Sequence, residues 1–201
     1  MNTEEIKMIT EKVNRYAQGV LSPDRYEHSR RVAILAQELC GCFSVDPEAG
    51  YLAGIAHDMC KAGKENWLLS MVIRDRLPVS AIEQKKPSLL HGRAAAVLLA
   101  AEFGVADPSI LEAVKNHTFG APALDALGKI IFVADKIEPG RTGMDPEFCA
   151  EIDRARNRGD LDGMVIMVLE DNMRYLTAKG KEVSSITLSM LENLKGRDAG
   201  K

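Results

Sequence analysis

Apolar residues recur along much of the chain at the three- and four-residue spacing of amphipathic helices. The segment from Leu161 to Met173 is the clearest case, with Leu, Met and Val side chains on one face. The same spacing predicts helices over residues 3–18, 23–42, 47–58, 65–73, 94–103, 124–134, 161–176 and 186–194, with a frayed tail over 195–201. The hydrophobic pattern therefore predicts an all-α fold.

Four dipeptides mark helix starts within this pattern: Ser22-Pro23, Asp46-Pro47, Asp107-Pro108 and Asp145-Pro146. A serine or aspartate at the N-cap accepts a hydrogen bond from a free backbone amide of the first turn. Proline is well tolerated at the next position, where its missing N–H would have no partner in the helix. These dipeptides give the helices defined beginnings and place two further helices after Asp107 and Asp145.

Residues 74–86 depart from the helical pattern, because they are largely polar and include Pro78. Such a segment forms either a mobile lid over a site or a plain crossing of the surface. The sequence favours the crossing.

Composition agrees with a packed helical domain. The chain has 201 residues, of which 46% are hydrophobic and only 5% aromatic, which suits one globular domain of helices better than a β-sandwich. The net charge of −3 argues against a nucleic-acid binder that relies on a broad basic face. It does not argue against a phosphate substrate, since bound metal ions supply positive charge locally.

Targeting signals are not evident. The N-terminal residues are acidic and lack the basic-then-apolar layout of a signal peptide, and no apolar run is long enough to span a bilayer. The four cysteines form no Cys-x-x-Cys pair, so idle thiols in a reducing compartment are the simplest interpretation. We therefore expect a cytoplasmic protein without a membrane partner.

The residues with the most suggestive chemistry are the four histidines and two aspartates that accompany the apolar helices. His57 is followed directly by Asp58, with Lys61 three residues later. Neighbouring residues within a helix point about 100° apart, so this pair can share a metal ion only where the helix ends. One such histidine is more often a core or surface residue. Six such residues together favour a His/Asp metal centre: His28, His57, Asp58, His91, His117 and Asp135. Imidazole and carboxylate ligands suit iron, manganese, cobalt or zinc.

The order of these six residues resembles that of the HD-domain metallophosphohydrolases. Three segments resemble, more narrowly, the bacterial HD-domain family that cleaves bis(5′-nucleosyl) tetraphosphates symmetrically: Pro-Ser-Leu-Leu-His-Gly at 87–92, Asn-His-Thr at 116–118 and Ala-Asp-Lys-Ile-Glu-Pro-Gly-Arg at 134–141. The resemblance runs from about Arg25 to the last helix. It implies a single HD-domain helical bundle over 1–201, with a metal-site core at about 25–141 and C-terminal helices 146–195 packed on it.

The resemblance also implies a ligand set of His28, His57, Asp58 and Asp135, with open positions left for water and substrate. His91 and His117 either bind a second metal ion, with Asp58 as the bridge, or contact substrate phosphates, and the sequence does not choose between these. The implied cofactor is one or two divalent transition-metal ions, with iron first and manganese or cobalt as alternatives.

The implied reaction converts diadenosine tetraphosphate and water to two ADP through attack of metal-activated water on a phosphate. Asp58 and Lys61 are the expected catalytic residues, and six residues are expected to contact the substrate: Arg25, Lys61, His91, His117, Thr118 and Arg141. Recognition of the base has no evident motif, although Phe119 or Trp67 is able to stack on one. Lys179 to Lys181 either reach the nucleoside or form a basic helix stop.

Other functions stay open at this point. Another HD-type phosphohydrolase would act on nucleotides or cyclic dinucleotides, a regulatory module would bind a nucleotide without turnover, and a structural protein would carry its histidines by chance. Product identity separates the first of these, since only symmetrical cleavage gives two diphosphates. The expected partner is a small nucleotide rather than nucleic acid, and residues 161–173 suit either a homodimer interface or the core.

Overall fold

The computed structural model describes residues 1–198. All regular secondary structure in that range is helical, with no β-strand among the described residues. The α-helices are α1 Thr3–Val20, α2 Pro23–Cys42, α3 Pro47–Ala56, α4 Glu65–Val72, α5 Ala81–Lys85, α6 His91–Glu102, α7 Pro108–Asn116, α8 Ala126–Ile137, α9 Pro146–Asn157, α10 Leu161–Ala178 and α11 Ser185–Asp198. Short 3-10 turns occupy Ile73–Asp75 and Pro87–Leu90. The predicted all-α fold is confirmed. Within residues 1–198, no helix has the length and apolar character to cross a membrane.

The predicted helix starts are confirmed at all four dipeptides. Ser22 caps α2 by accepting from the Arg25 amide, and the other three caps are aspartates that accept from amides two residues ahead: Asp46, Asp107 and Asp145. In each case the proline is the first helical residue. Local sequence therefore sets the beginnings of α2, α3, α7 and α9.

Several helix boundaries differ from the predicted ones, and the largest differences are in α6, α8 and α11. Helix α6 begins at His91 rather than Ala94, because the 3-10 turn over residues 87–90 leads directly into it. Helix α8 begins after Asp125, whose side chain accepts from the Gly128 amide at 2.8 Å, and it continues through Ile137, so Asp135 lies within its last turn rather than after it. Helix α11 extends through Asp198 instead of fraying from Lys195, and residues 199–201 lie outside the described residues.

Close packing of α2 against α3 brings the first histidines together. A Cβ atom on Gly54 would lie 2.5 Å from the Ala33 Cα atom, so only glycine lets the two backbones approach this closely. The short connection between the helices makes them run in opposite directions. The first half of α2, which carries His28, therefore lies beside the end of α3, where His57 is located.

The segment over residues 74–86 is held against α6 by Arg93. Its guanidinium donates to both carboxylate oxygens of Asp75 at 2.8 Å, to Glu83 at 3.3 Å and to the carbonyls of Leu77 and Pro78. Only 9% of Arg93 is exposed. Because these contacts fix the segment at several points, they support the interpretation as a surface crossing rather than as a mobile lid.

The C-terminal helices pack on the site-bearing ones. Helix α10 contacts α8, α9 and α11, and its apolar face is buried through Met164, Val165, Val168 and Leu169. This face accordingly belongs to the core of the chain. An adjacent face of α10, which shares Val168 with the buried one, lines the cavity described below.

Candidate active site

The six histidines and aspartates singled out in the sequence converge on one buried cluster, and most of them lie at helix ends. His57 and His117 are the C-caps of α3 and α7, and His91 is the first residue of α6. Asp58 is the residue after the C-cap of α3, so the pair lies at a helix end, as its geometry required. Each of the six is no more than 7% exposed.

Two of the histidines each have their Nε2 atom within 3.9 Å of an oxygen of Asp58 and of an oxygen of Asp135. The Nε2 atom of His28 lies 3.1 Å from Asp135 Oδ1 and 3.9 Å from Asp58 Oδ2, and the Nε2 atom of His57 lies 3.7 Å from each of the same two oxygens. Both Nε2 atoms are buried without a hydrogen-bond partner among the described residues. Because an unpaired buried polar atom is costly, two such atoms facing two carboxylates fit a bound cation.

Asp58 joins this set to a second one through its other oxygen. Asp58 Oδ1 lies 3.0 Å from His91 Nε2 and 3.7 Å from His117 Nε2, and the two Nε2 atoms are 3.0 Å apart. The Lys61 ammonium lies 3.1 Å from His91 Nε2 and 3.6 Å from Asp58 Oδ1. The Thr118 hydroxyl lies within 3.4 Å of both imidazoles. The second set therefore combines two imidazole nitrogens and a carboxylate oxygen with a nearby cation and a hydroxyl.

Each histidine uses its Nδ1 atom for a structural hydrogen bond. In three of them this atom contacts the carbonyl of the residue three positions earlier, at 2.6 Å for His57 and 2.8 Å for His91 and His117. In His28 it contacts Glu138 Oε1 at 3.1 Å. A proton on Nδ1 leaves the Nε2 lone pair directed into the cluster, which is the tautomer that a metal ligand requires.

Electrostatics favours neutral imidazoles at His57 and His91 and ionised carboxyls at Asp58 and Asp135. Burial lowers the pKa of His57 to about 3 and the pKa of His91 to about 4, despite the nearby carboxylates. Burial alone would raise the pKa of Asp58 and of Asp135. The adjacent histidines, together with the Lys136 ammonium for Asp135, outweigh burial and hold both pKa values well below their usual range. Around neutral pH the cluster thus presents lone pairs and negative charge, as cation binding requires.

Glu138 is a buried part of the site to which the sequence alone gave no role. Besides His28, its carboxylate accepts hydrogen bonds from the Arg31 guanidinium and from the Gly140 amide. Burial raises its pKa, but these donors reverse the effect and keep the pKa below its usual value. The sequence could have indicated a role for Glu138, because it lies in the segment 134–141 that carries the family resemblance. Nothing in the sequence indicated a role for its partner Arg31, which is 107 residues away along the chain.

Cationic side chains surround the mouth of the cluster. Arg25 donates to Asp58 Oδ2 at 2.9 Å, and Arg141 donates to Asp135 Oδ1 at 3.0 Å and to the Asp135 carbonyl. Lys136 pairs with Asp135, a contact that sequence reasoning missed. Burial lowers the pKa of Lys61, and its two neighbouring carboxylates oppose this. The structure thus places the predicted Arg25, Lys61 and Arg141 together beside the carboxylates.

The cluster opens into a cavity of about 580 Å³. Its lining includes the predicted residues Arg25, Asp58, Lys61, His117, Thr118, Asp135 and Arg141. The lining also includes Met144 ahead of α9, Phe148 in the first turn of α9, and Val168, Asn172 and Tyr175 of α10. A volume of this size lies within the range of roughly 300–1,000 Å³ for small-molecule sites. Trp67 is on α4 with 37% exposure and is not among the lining residues.

Comparisons with known proteins agree with this site. The HD domain family model matches residues 25–140, a range that contains all six cluster residues. A symmetrical bis(5′-nucleosyl)-tetraphosphatase from Staphylococcus aureus is 33% identical over 92% of this chain and 93% of its own length. The enzyme of the same name from Bacillus subtilis is 33% identical over 81% of this chain and 85% of its own length.

A solved structure shares the fold. The crystal structure described as a "predicted HD superfamily hydrolase involved in NAD metabolism" from Clostridium acetobutylicum superposes with a TM-score of 0.84 at 28% identity. The match covers 93% of this chain and 97% of that one. The likeness therefore extends well beyond the residues of the cluster.

Proposed function

The chain belongs to the HD-domain family and, within it, to the symmetrical bis(5′-nucleosyl)-tetraphosphatases, and we propose on this basis that it hydrolyses diadenosine tetraphosphate to two ADP. The carrying observation is the buried His/Asp cluster that opens into a cavity lined by cations. In the reaction the oxygen of water bonds to one inner phosphorus atom. The central P–O bond breaks, and the second ADP leaves.

We assign His28, His57, Asp58 and Asp135 to a divalent metal ion, because their ligand atoms converge and two of their nitrogens have no other partner among the described residues. A divalent ion in such a site supplies Lewis acidity and lowers the pKa of water. Iron is the proposed ion, with manganese or cobalt as alternatives. The second set of Asp58, His91 and His117 takes either a second ion or a substrate phosphate, and the metal content per chain distinguishes these.

The remaining residues of the mouth act on the polyphosphate. Arg25 and Arg141 hold phosphate oxygens, for which the planar guanidinium offers paired donors. Lys61 brings positive charge to the transferred phosphoryl group, where negative charge develops during attack, and the Thr118 hydroxyl offers a hydrogen bond beside it. The cytoplasmic location stays a prediction, and the homodimer stays one of the two alternatives that the sequence left open for residues 161–173.

The Glu138→Gln variant should bind the metal about 10–100-fold more weakly than the wild type. Glutamine keeps the size of the side chain and a hydrogen bond to His28, but it removes the negative charge that pairs with Arg31. Competition with a chelator of known affinity measures the loss. Glu27→Gln is the matched control. Glu27 is exposed on α2, the helix that carries His28 and Arg31, and it pairs with Arg30. Equal metal retention in the two variants would contradict a role for Glu138 in orienting His28.

The proposed reaction is tested on the purified protein with diadenosine tetraphosphate and added iron, manganese or cobalt. We expect two ADP per substrate by anion-exchange chromatography, and loss of the activity on chelation with recovery when metal is restored. ATP plus AMP as products would keep a phosphohydrolase but exclude symmetrical cleavage. Absence of turnover with all three metals would reject the proposed substrate.

A further inference from the structure

A second cavity adjoins the one at the cluster. It measures about 400 Å³, and three residues line both cavities: Thr118, Lys136 and Asn172. Thr118 contacts His91 and His117, and Lys136 pairs with Asp135. The two cavities therefore meet beside the cluster, where Thr118 adjoins the second ligand set and Lys136 adjoins Asp135.

The second cavity has the charge of a site for a polyanion. Four lysines line it: Lys85, Lys86, Lys136 and Lys181. The one carboxylate among its lining residues belongs to Glu182, which lies 3.3 Å from Lys85. The first cavity, by contrast, has four aspartates in its lining. Lys85 pairs with Glu182 and Lys136 with Asp135, so Lys86 and Lys181 are the lining cations without a carboxylate partner among the described residues. Two such exposed cations suit the phosphates of a ligand.

The same cavity has an apolar wall. Phe119 and Leu89 are partly buried there, together with Ile82 and Leu176. Phe119 directly follows Thr118 in the chain, and Thr118 lines both cavities, so Phe119 lines the second cavity next to the junction. A partly buried aromatic ring beside cations is the combination that binds a nucleobase by stacking while its phosphates are held electrostatically.

We propose that the second cavity is a half-site for one ADP moiety of the substrate. The inference rests on the proposed function, because symmetrical cleavage puts the reacting bond at the middle of the substrate and demands room for a nucleotide on each side of the cluster. One half lies in the first cavity against Phe148 and Tyr175. The other half passes Thr118 and Lys136 and lies against Phe119, with its phosphates near Lys86 and Lys181.

Two variants test the half-site. Phe119→Ala removes the stacking ring, and the double variant Lys86→Ala/Lys181→Ala removes two exposed cations without disturbing the core. Each should lower kcat/KM for diadenosine tetraphosphate about tenfold, the loss expected from one stacked base or from the phosphate contacts. The double variant Lys12→Ala/Lys64→Ala is the matched control, since both lysines are exposed and are absent from the linings of the two cavities.

Titration with ADP separates binding from any effect on folding. The metal-loaded wild type should bind two ADP per chain by calorimetry, and each half-site variant should bind one, with circular dichroism unchanged. One ADP per wild-type chain, or two ADP with unchanged kcat/KM in both variants, would overturn the half-site. Failure of the wild type to release two ADP from the substrate would instead reject the proposed function, so the two failures are distinguishable.

Discussion

Replacing Asp58 with asparagine is expected to lower kcat for diadenosine tetraphosphate by at least about 10³-fold, or about 4 kcal/mol of transition-state stabilisation. Asp58 contacts the histidines of both proposed ligand sets, through Oδ2 to His28 and His57 and through Oδ1 to His91 and His117. Asparagine keeps the volume, but it removes the negative charge and leaves one oxygen to serve two sets.

The measurement is the rate of ADP release, with the metal content of each protein determined in parallel. Asp153→Asn is the matched control, because Asp153 is exposed on α9 and is absent from the linings of the two cavities. The control should stay within a fewfold of the wild type and retain its metal. An Asp58→Asn protein with kcat within tenfold of the wild type would remove Asp58 from the centre of the mechanism.

Replacing Arg93 with alanine is expected to lower the free energy of unfolding by about 3–5 kcal/mol. The loss is large because Asp75 and Glu83 would keep their low exposure while losing the guanidinium that neutralises them. Thermal unfolding should show a fall in Tm of about 10 °C for a chain of this length. Arg74→Ala is the control, because Arg74 is exposed and directly precedes Asp75 in the chain. It should change the free energy of unfolding by no more than about 0.5 kcal/mol.

Two further measurements identify the cause of that loss. Burial raises the pKa of Asp75, but hydrogen bonds from Arg93 and from the Leu77 amide reverse this and hold the pKa below its usual value. This contribution to stability is present above the unfolded pKa and is lost as pH falls through the folded pKa. The difference between wild type and Arg93→Ala should therefore shrink below about pH 4.

The triple variant Arg93→Met/Asp75→Asn/Glu83→Gln should recover part of the stability, because it leaves no buried charge without a partner. A triple variant as unstable as Arg93→Ala would point to lost packing rather than lost pairing. The segment over residues 74–86 leads into His91 through the turn at residues 87–90. The Arg93→Ala variant, which removes the contacts that hold this segment, therefore also tests whether the segment keeps His91 in place in the second ligand set.

The helix starts and the chemical type of the site could be predicted from the sequence because both depend on residues close together in the chain. A serine or aspartate before proline caps a helix through its own first-turn amides, so Ser22 and Asp46 needed no tertiary information. The His57-Asp58 pair likewise required a helix end by local geometry. The family segments then indicated which histidines and aspartates belong together.

Only the tertiary structure decided how those residues are arranged. The division of Asp58 between two ligand sets depends on His28 and His91, which come from different helices. Glu138 reaches His28 across 110 positions of the chain, and Arg93 holds two carboxylates whose own sequence context is that of a surface loop. The second cavity joins α5, α10 and the turn after α7. Sequence patterns record what each segment forms by itself, whereas these contacts arise when the buried apolar faces of several helices pack together and fix the distances between polar groups far apart in the chain.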